Sequence, residues 1–342
     1  MKRVGNLYLS IADPDNLRRA FLKAARGKRQ RREVREYTAN LDANLMELHR
    51  QLLAHEVVVG DYRFFIVRDP KVRQICAASF RERVLHHAIM NICEPVLEGY
   101  AIDDSFACRQ GKGLHTALKR AQQFTRCNSW YLKLDIRKYF DSIPHDRLLA
   151  LLARRFKDRD LLELFARILA AYETEPGRGL PIGNLLSQHF ANFYLGALDH
   201  WLKEQRQVKG YLRYMDDFVL FAADRETLRT ELAAIETFIR DHLGLELKEN
   251  IQLNRVAHGL PFLGFRLYPH TVRLAPRSRE RFARRLVEYE TFFAAGSWNE
   301  AELACHVGPL VEFTRVASAA SFRRQVLTNR RKGAVLQGAP TA

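Results

Sequence analysis

One stretch constrains this chain more than any other: Gly210-Tyr211-Leu212-Arg213-Tyr214-Met215-Asp216-Asp217-Phe218-Val219-Leu220-Phe221. Aromatic and aliphatic residues run up to Tyr214 and resume at Phe218, so the pattern predicts two short strands joined by a tight turn. The turn region carries two adjacent carboxylates. Beside apolar strands they repel each other and resist ionisation. Two readings fit the pair taken alone: solvated turn chemistry, or oxygen ligands for a hard divalent cation such as Mg²⁺.

A second acid sits in a similar place. Tyr131-Leu132-Lys133-Leu134-Asp135-Ile136-Arg137-Lys138-Tyr139-Phe140-Asp141 reads as an apolar strand ending at Asp135, then a turn into helix. An acid that ends a buried strand is costly unless something binds it. Brought together, Asp135, Asp216 and Asp217 would form a three-carboxylate cluster suited to two metal ions in phosphoryl or nucleotidyl transfer.

Bulk charge narrows the partner. Lys and Arg number 55 against 39 Asp and Glu, a net charge of +16, which points to a polyanion. No basic amphipathic helix shows an aromatic face for insertion into lipid, so nucleic acid is the better match. No apolar run reaches the ~18 residues of a membrane helix and no apolar signal core follows Met1, so a cytoplasmic, bacterial or phage-encoded protein is expected. Cys76, Cys93, Cys108, Cys127 and Cys305 lack C-x-x-C spacing, which argues against disulfides and structural zinc.

Along the chain, Asp13-Pro14 predicts a helix start, and a second helix is expected from about Thr38 to His55. The basic run Arg26–Arg32 reads either as a solvated face or as a phosphate contact. From Val57 to Ile75 the pattern is that of a hairpin, with Lys71 and Arg73 on one face of its return strand. Such a pair could grip a triphosphate, or simply defend an edge strand with charge. Phe80 to about Tyr100 reads as helix, with His86 and His87 as packing and hydrogen-bonding residues, because adjacent helical residues diverge too far to share a metal. Residues 104–113 form a glycine-bearing basic loop whose amides and cations could hold phosphate. Gly179-Leu180-Pro181-Ile182-Gly183 feeds a helix through small residues, and short strands are expected at Leu245–Lys248 and Phe262–Leu267. A helical basic tail follows Pro276, with Arg277, Arg279, Arg281, Arg284 and Arg285, then Arg323, Arg324, Arg330, Arg331 and Lys332.

The ordered set resembles the sequential motifs of reverse transcriptases: Lys71-x-Arg73, Asp135-x4-Phe140, Gly183-x3-Ser187, Tyr214-Met215-Asp216-Asp217 and Phe262-Leu263-Gly264-Phe265. The likeness spans about residues 55–270. It implies an α+β right-hand polymerase with an antiparallel palm sheet and a helical thumb. The boundaries expected are an N-terminal helical extension over 1–56, fingers with part of the palm over 57–130, palm over 131–270, and thumb and tail over 271–342. Ile182 before Gly183, and Gln188 after Ser187, are similar to the reverse transcriptases of diversity-generating retroelements. So are Arg83-Val84-Leu85-His86-His87-Ala88 and the 104–113 loop. The compact length, with no room for an RNase H or endonuclease domain, agrees with that branch.

Roles then follow as implications of the resemblance. Asp135, Asp216 and Asp217, with the Ile136 carbonyl, bind two Mg²⁺ ions (or Mn²⁺). Lys71 and Arg73 contact the dNTP phosphates, Phe140 excludes a 2′-hydroxyl, and Ile182 and Gly183 line the nascent base pair. Lys248 is either a proton donor to pyrophosphate or a surface lysine. The implied activity is RNA-directed DNA polymerase, a nucleotidyltransferase making adenine-mutagenised cDNA from a template-repeat RNA. Its partners would be template RNA, cDNA or primer, dNTPs and the accessory variability determinant, a small basic helical oligomer. Rival readings are another bacterial reverse transcriptase (retron, phage-defence or CRISPR-associated) and a catalytically inactive RNA-binding scaffold.

Overall fold

The structure, a computed structural model, describes residues 3–68 and 72–337. Four helices open it: α1 (Tyr8–Ala12), α2 (Pro14–Ala25), α3 (Arg32–Ala39) and α4 (Leu41–Leu53). Asp13 Oδ1 accepts from the Asp15 and Asn16 amides, and Pro14 takes the first turn, where its missing N–H costs nothing. The helix expected from Thr38 to His55 is α4, which starts at Leu41 and ends at Leu53. Asn40, at φ −124° and ψ 41°, leaves helical geometry and turns the chain between α3 and α4.

Two strands follow, β1 (Tyr62–Val67) and β2 (Arg73–Ala78), paired antiparallel from Tyr62↔Ala78 to Val67↔Arg73. The strand pattern read from Val57 starts later, at Tyr62. The long helix α5 (Phe80–Glu98) is capped by Ser79 and collects the N-terminal helices. Buried Asn16 on α2 ties the two together, its Nδ2 donating to Ala88 O at 3.1 Å.

After α6 (Leu114–Cys127) comes the sheet that organises the molecule, formed by β3 (Trp130–Asp135), β4 (Gly210–Tyr214), β5 (Asp217–Ala222) and β6 (Gln252–Arg255). All its pairings are antiparallel, in the order β4-β5-β3-β6. Between β3 and β4 run α7 (Tyr139–Ser142), α8 (His145–Ala153), α9 (Arg159–Ala170), α10 (Leu185–Tyr194) and α11 (Gly196–His200), the last continuing as a π-helical turn, Trp201–Gln205. α12 (Arg225–Leu243) separates β5 from β6 and ends on Gly244 at φ +60°.

Alternation divides the sheet into two faces. Leu132, Leu134, Tyr211, Phe218 and Leu220 enter the larger core with the helices from α8 to α12. Tyr131, Leu212, Val219 and Phe221 enter a second core with α6 and a small sheet of β7 (Leu260–Phe262), β8 (Phe265–Leu267) and β9 (Val272–Leu274). A one-residue slip of any strand would exchange the two sets, so register is firmly specified. The strand expected at Leu245–Lys248 reduces to a single bridge, Ile136↔Leu247. The basic tail is helical as expected: α13 (Pro276–Ala294), α14 (Glu300–Arg315) with a full capping box at Asn299 and Glu302, and α15 (Ala320–Gln337). The side chains of Arg330, Arg331 and Lys332 lie outside the described residues.

Candidate active site

Strand register does what sequence spacing could only suggest. Asp135 stands directly opposite Asp217, and Tyr214 pairs with Asp217 on the other side. Asp135 and Asp217 therefore share the face that carries Tyr131, Lys133, Val219 and Phe221. Asp216 lies in the two-residue turn between β4 and β5. A tight turn of that length calls for positive φ at its first residue, a position glycine usually takes; here Met215 holds it at φ +58°.

Two lysines meet the carboxylates. Lys248 Nζ donates to Asp135 Oδ1 at 2.6 Å, and Lys133 Nζ lies 3.0 Å from Asp217 Oδ1. The second contact is an ion pair off hydrogen-bond alignment, which leaves Asp217 Oδ1 buried without a hydrogen-bond partner. Burial, then the Asp135 charge, pushes the Asp216 carboxyl up to about 6. Burial pushes Asp217 up to about 6 as well, against the lowering effect of Lys133.

Among the described residues, no three His, Cys, Asp or Glu side chains form a ready-made metal cage. The donor set still suits a hard divalent cation. Every donor is oxygen, and the lysine ammoniums stand where positive charge relieves repulsion between the acids. The neighbouring Ile136 is fully buried and bridges Leu247, while the Arg137 amide donates to Glu246 O at 2.8 Å.

A cleft of about 440 Å³ is lined by Val72, Arg73, Gln74, Lys138, Tyr172 and Ile182 among others, and Asp135, Asp216 and Asp217 are not among its lining residues. The 179–183 loop is stapled to β2, with the Cys76 amide donating to Ile182 O at 2.8 Å and the Ala78 amide to Asn184 Oδ1 at 3.2 Å. Gly183 sits at φ +114°. A Cβ there would lie 2.8 Å from Ile75 Cγ2, so both conformation and space demand glycine. Phe140 is half-buried against the larger core and edge-on to Tyr139 at 5.8 Å, and it is not one of the cleft's lining residues. Lys71 lies outside the described residues.

Residues 68–267 match the family described as reverse transcriptase (RNA-dependent DNA polymerase). The chain belongs to the reverse transcriptase family. Its fold is accordingly the right-hand polymerase, with the β4-β5-β3-β6 sheet as palm. It is 24% identical over 271 residues to the protein YkfC of Escherichia coli, covering 64% of this chain and 70% of that one. It is 30% identical over 138 residues to the group II intron-encoded protein LtrA of Lactococcus lactis subsp. cremoris, covering 39% of this chain and 23% of that one. An uncharacterised 91 kDa protein in a cob intron of Schizosaccharomyces pombe is 32% identical over 146 residues, 41% of this chain. The chain spans about a fifth of the length of the last two relatives. No helix among the described residues is long and apolar enough to cross a membrane.

Several features of this family member escape a reading of its sequence. Lys133 reads there as one cation in a strand, yet it lies two residues before Asp135 on the same face, which is the signal that could have found it. Lys248 is of intermediate exposure, and its Nζ is held on Asp135 Oδ1. The 104–113 loop uses its cations internally. Arg109 bonds Glu98 and the Ile102 and Ser105 carbonyls, and Lys112 bonds Asp103 O. The loop covers the open edge of β4, with Arg213 N donating to Asp104 O and Phe106 N to Arg213 O. His86 packs as expected but makes no hydrogen bond, with Glu82 Oε1 3.6 Å from its Nε2.

Proposed function

We propose that this chain copies RNA into DNA, with Asp135, Asp216 and Asp217 as the divalent-metal ligands of nucleotidyl transfer. The register of Asp135 opposite Asp217, with Asp216 at the adjoining turn, is the observation that carries this reading. Mg²⁺ or Mn²⁺ bound by these oxygens and the Ile136 carbonyl would acidify a primer 3′-hydroxyl and neutralise charge on the triphosphate and its leaving pyrophosphate. The protein's own groups do the positioning. Arg73, exposed on β2 and lining the cleft, would bind the dNTP phosphates together with Lys71. Ile182 and Gly183 would abut the nascent base pair, and Phe140 the sugar, where its ring would exclude a 2′-hydroxyl. Lys248, whose Nζ donates to Asp135, would hold a proton near departing pyrophosphate. The arginines of α13 would track the template–product duplex by its phosphates.

The finer assignment is to a diversity-generating retroelement, in which a template-repeat RNA is copied into adenine-mutagenised cDNA with the accessory variability determinant as partner. Ile182 supports it: an aliphatic side chain lines the cleft where a polar one would contact the incoming nucleotide. Fewer polar contacts there weaken discrimination between right and wrong base. The same reading places the protein in a bacterial cytoplasm.

The test is primer extension on an adenine-containing RNA template, with the cDNA sequenced, for the wild-type protein and Ile182→Gln. Substitutions concentrated opposite adenine, and fewer of them with Ile182→Gln, are expected. Accurate cDNA from wild type would move the assignment to another reverse-transcriptase branch, such as that of the intron-encoded relatives. Unchanged miscopying by Ile182→Gln would remove Ile182 as its cause.

A further inference from the structure

The largest fully buried side chain of the palm belongs to an arginine on the strand that leads into the acidic turn. Arg213 has a side-chain exposure of 1%, and all five of its N–H donors are used. Nε donates to Asp199 Oδ1 at 2.8 Å and Nη2 to Asp199 Oδ2 at 2.6 Å, a two-pronged pair with a carboxylate that is itself fully buried. Nη2 also donates to Asn192 O at 3.1 Å, and Nη1 to Asn192 Oδ1 at 2.8 Å. The remaining Nη1 hydrogen reaches past the end of β4 to Met215 O at 3.0 Å. Tyr211 completes the cluster, its hydroxyl 2.5 Å from Asp199 Oδ1, and Asn192 Nδ2 donates to Ala107 O in the edge-covering loop.

A buried ion pair is weak evidence for stability, since apolar residues of like volume often serve a core as well or better. What this pair does that apolar residues could not is hold one backbone carbonyl. Met215 occupies the left-handed region that side chains avoid, so its conformation persists only where the surroundings enforce it. The peptide from Met215 C=O to Asp216 N–H is planar, so fixing that oxygen fixes the plane from which Asp216 departs. Arg213 faces the larger core, while Asp135 and Asp217 lie on the opposite face of the sheet. It acts on the acids through the turn and touches none of them.

We propose that Arg213 is a positioning residue, which holds the turn carrying Asp216 and Asp217 in its metal-binding conformation by clamping the Met215 carbonyl from inside the palm. This rests on reading Asp135, Asp216 and Asp217 as a divalent-metal site. Asp199 and Asn192 orient the guanidinium, and the 104–107 loop braces Asn192 from the other side.

The test compares Mn²⁺ binding, followed by electron paramagnetic resonance without nucleotide, with thermal melting of the same proteins. Arg213→Gln alone would strand the Asp199 charge and threaten the fold. The informative variant is therefore Arg213→Gln with Asp199→Asn, which makes the pair neutral but leaves it too short to reach Met215 O. We expect its Tm to stay near that of wild type while Mn²⁺ binds at least tenfold more weakly. Adding Met215→Gly, which accepts positive φ freely, should recover part of that loss. Equal Mn²⁺ affinity in the double variant and wild type would overturn the proposal. Should the double variant be unfolded by circular dichroism, Arg213→Lys, which keeps the charge, is judged by the same tenfold criterion. Asp216→Ala is the control. If it keeps wild-type Mn²⁺ binding, the metal-site reading itself fails and takes the proposal with it.

Discussion

Lys248 is bound to Asp135 twice: its Nζ lies 2.6 Å from Asp135 Oδ1, and its backbone amide donates to the Asp135 carbonyl at 2.9 Å. The second bond fixes the lysine's origin, so the ammonium is delivered to the acid by the backbone rather than arriving from solvent by chance. A cation entering between Asp135 and Asp216 must compete with that ammonium. The pair is about one-third exposed on both sides, so its strength is of the modest, screened kind, roughly 0.2–1 kcal/mol. Lys248→Met should therefore tighten divalent-metal binding by up to about fivefold. A metal titration of the nucleotide-free protein checks this; weaker binding in the variant would show that Lys248 helps to shape the site rather than competes for it.

Gly183 offers a second check, on the seam between the cleft loop and β2. Alanine there meets Ile75 Cγ2 at 2.8 Å and Cys76 O at 3.3 Å from a backbone at φ +114°. Gly183→Ala should cost about 1–3 kcal/mol of stability. It should also raise the KM for dNTP more than it lowers kcat, because Arg73 and Ile182 line one cleft across that seam. Urea unfolding and steady-state kinetics give the two numbers, and an unchanged KM would detach the seam from nucleotide binding.

The buried histidine predicts a pH effect. Burial, with a smaller contribution from His87, lowers His86 to about 4 from an ordinary value of 6.5. A histidine whose folded pKa lies below its unfolded one binds protons in the unfolded chain first. Stability is thus complete above pH 6.5 and is lost as pH falls from 6.5 towards about 4, by up to ~3 kcal/mol from this group. His86→Leu should flatten the fall in Tm between pH 7 and pH 5. Parallel pH profiles for variant and wild type would place the acid sensitivity elsewhere.

How much of this was legible in the sequence depended on whether a residue broke its local pattern. Asp135 and the Asp216-Asp217 pair interrupt apolar strands, so they could be read directly, and the family motifs around them fixed the fold. Arg213 interrupts a strand in the same way, but its partners Asp199 and Asn192 lie on α11 and α10, and only tertiary packing joins them. The internal bonds of the 104–113 loop escape the sequence for a related reason. Its cations resemble an anion nest until Glu98 and the loop's own carbonyls are seen to take them.

In the proposed function, Asp135, Asp216 and Asp217 form one divalent-metal site for RNA-templated DNA synthesis. The most direct measurement is extension of a DNA primer on an RNA template across a Mg²⁺ titration, comparing wild type with Asp135→Asn and Asp216→Ala variants shown by circular dichroism to be folded. We expect Mg²⁺-dependent cDNA from wild type and a loss of at least about 10²-fold in each variant, the scale on which removal of a transition-state charge stabiliser is felt. Folded variants that extend the primer at the wild-type rate would contradict it.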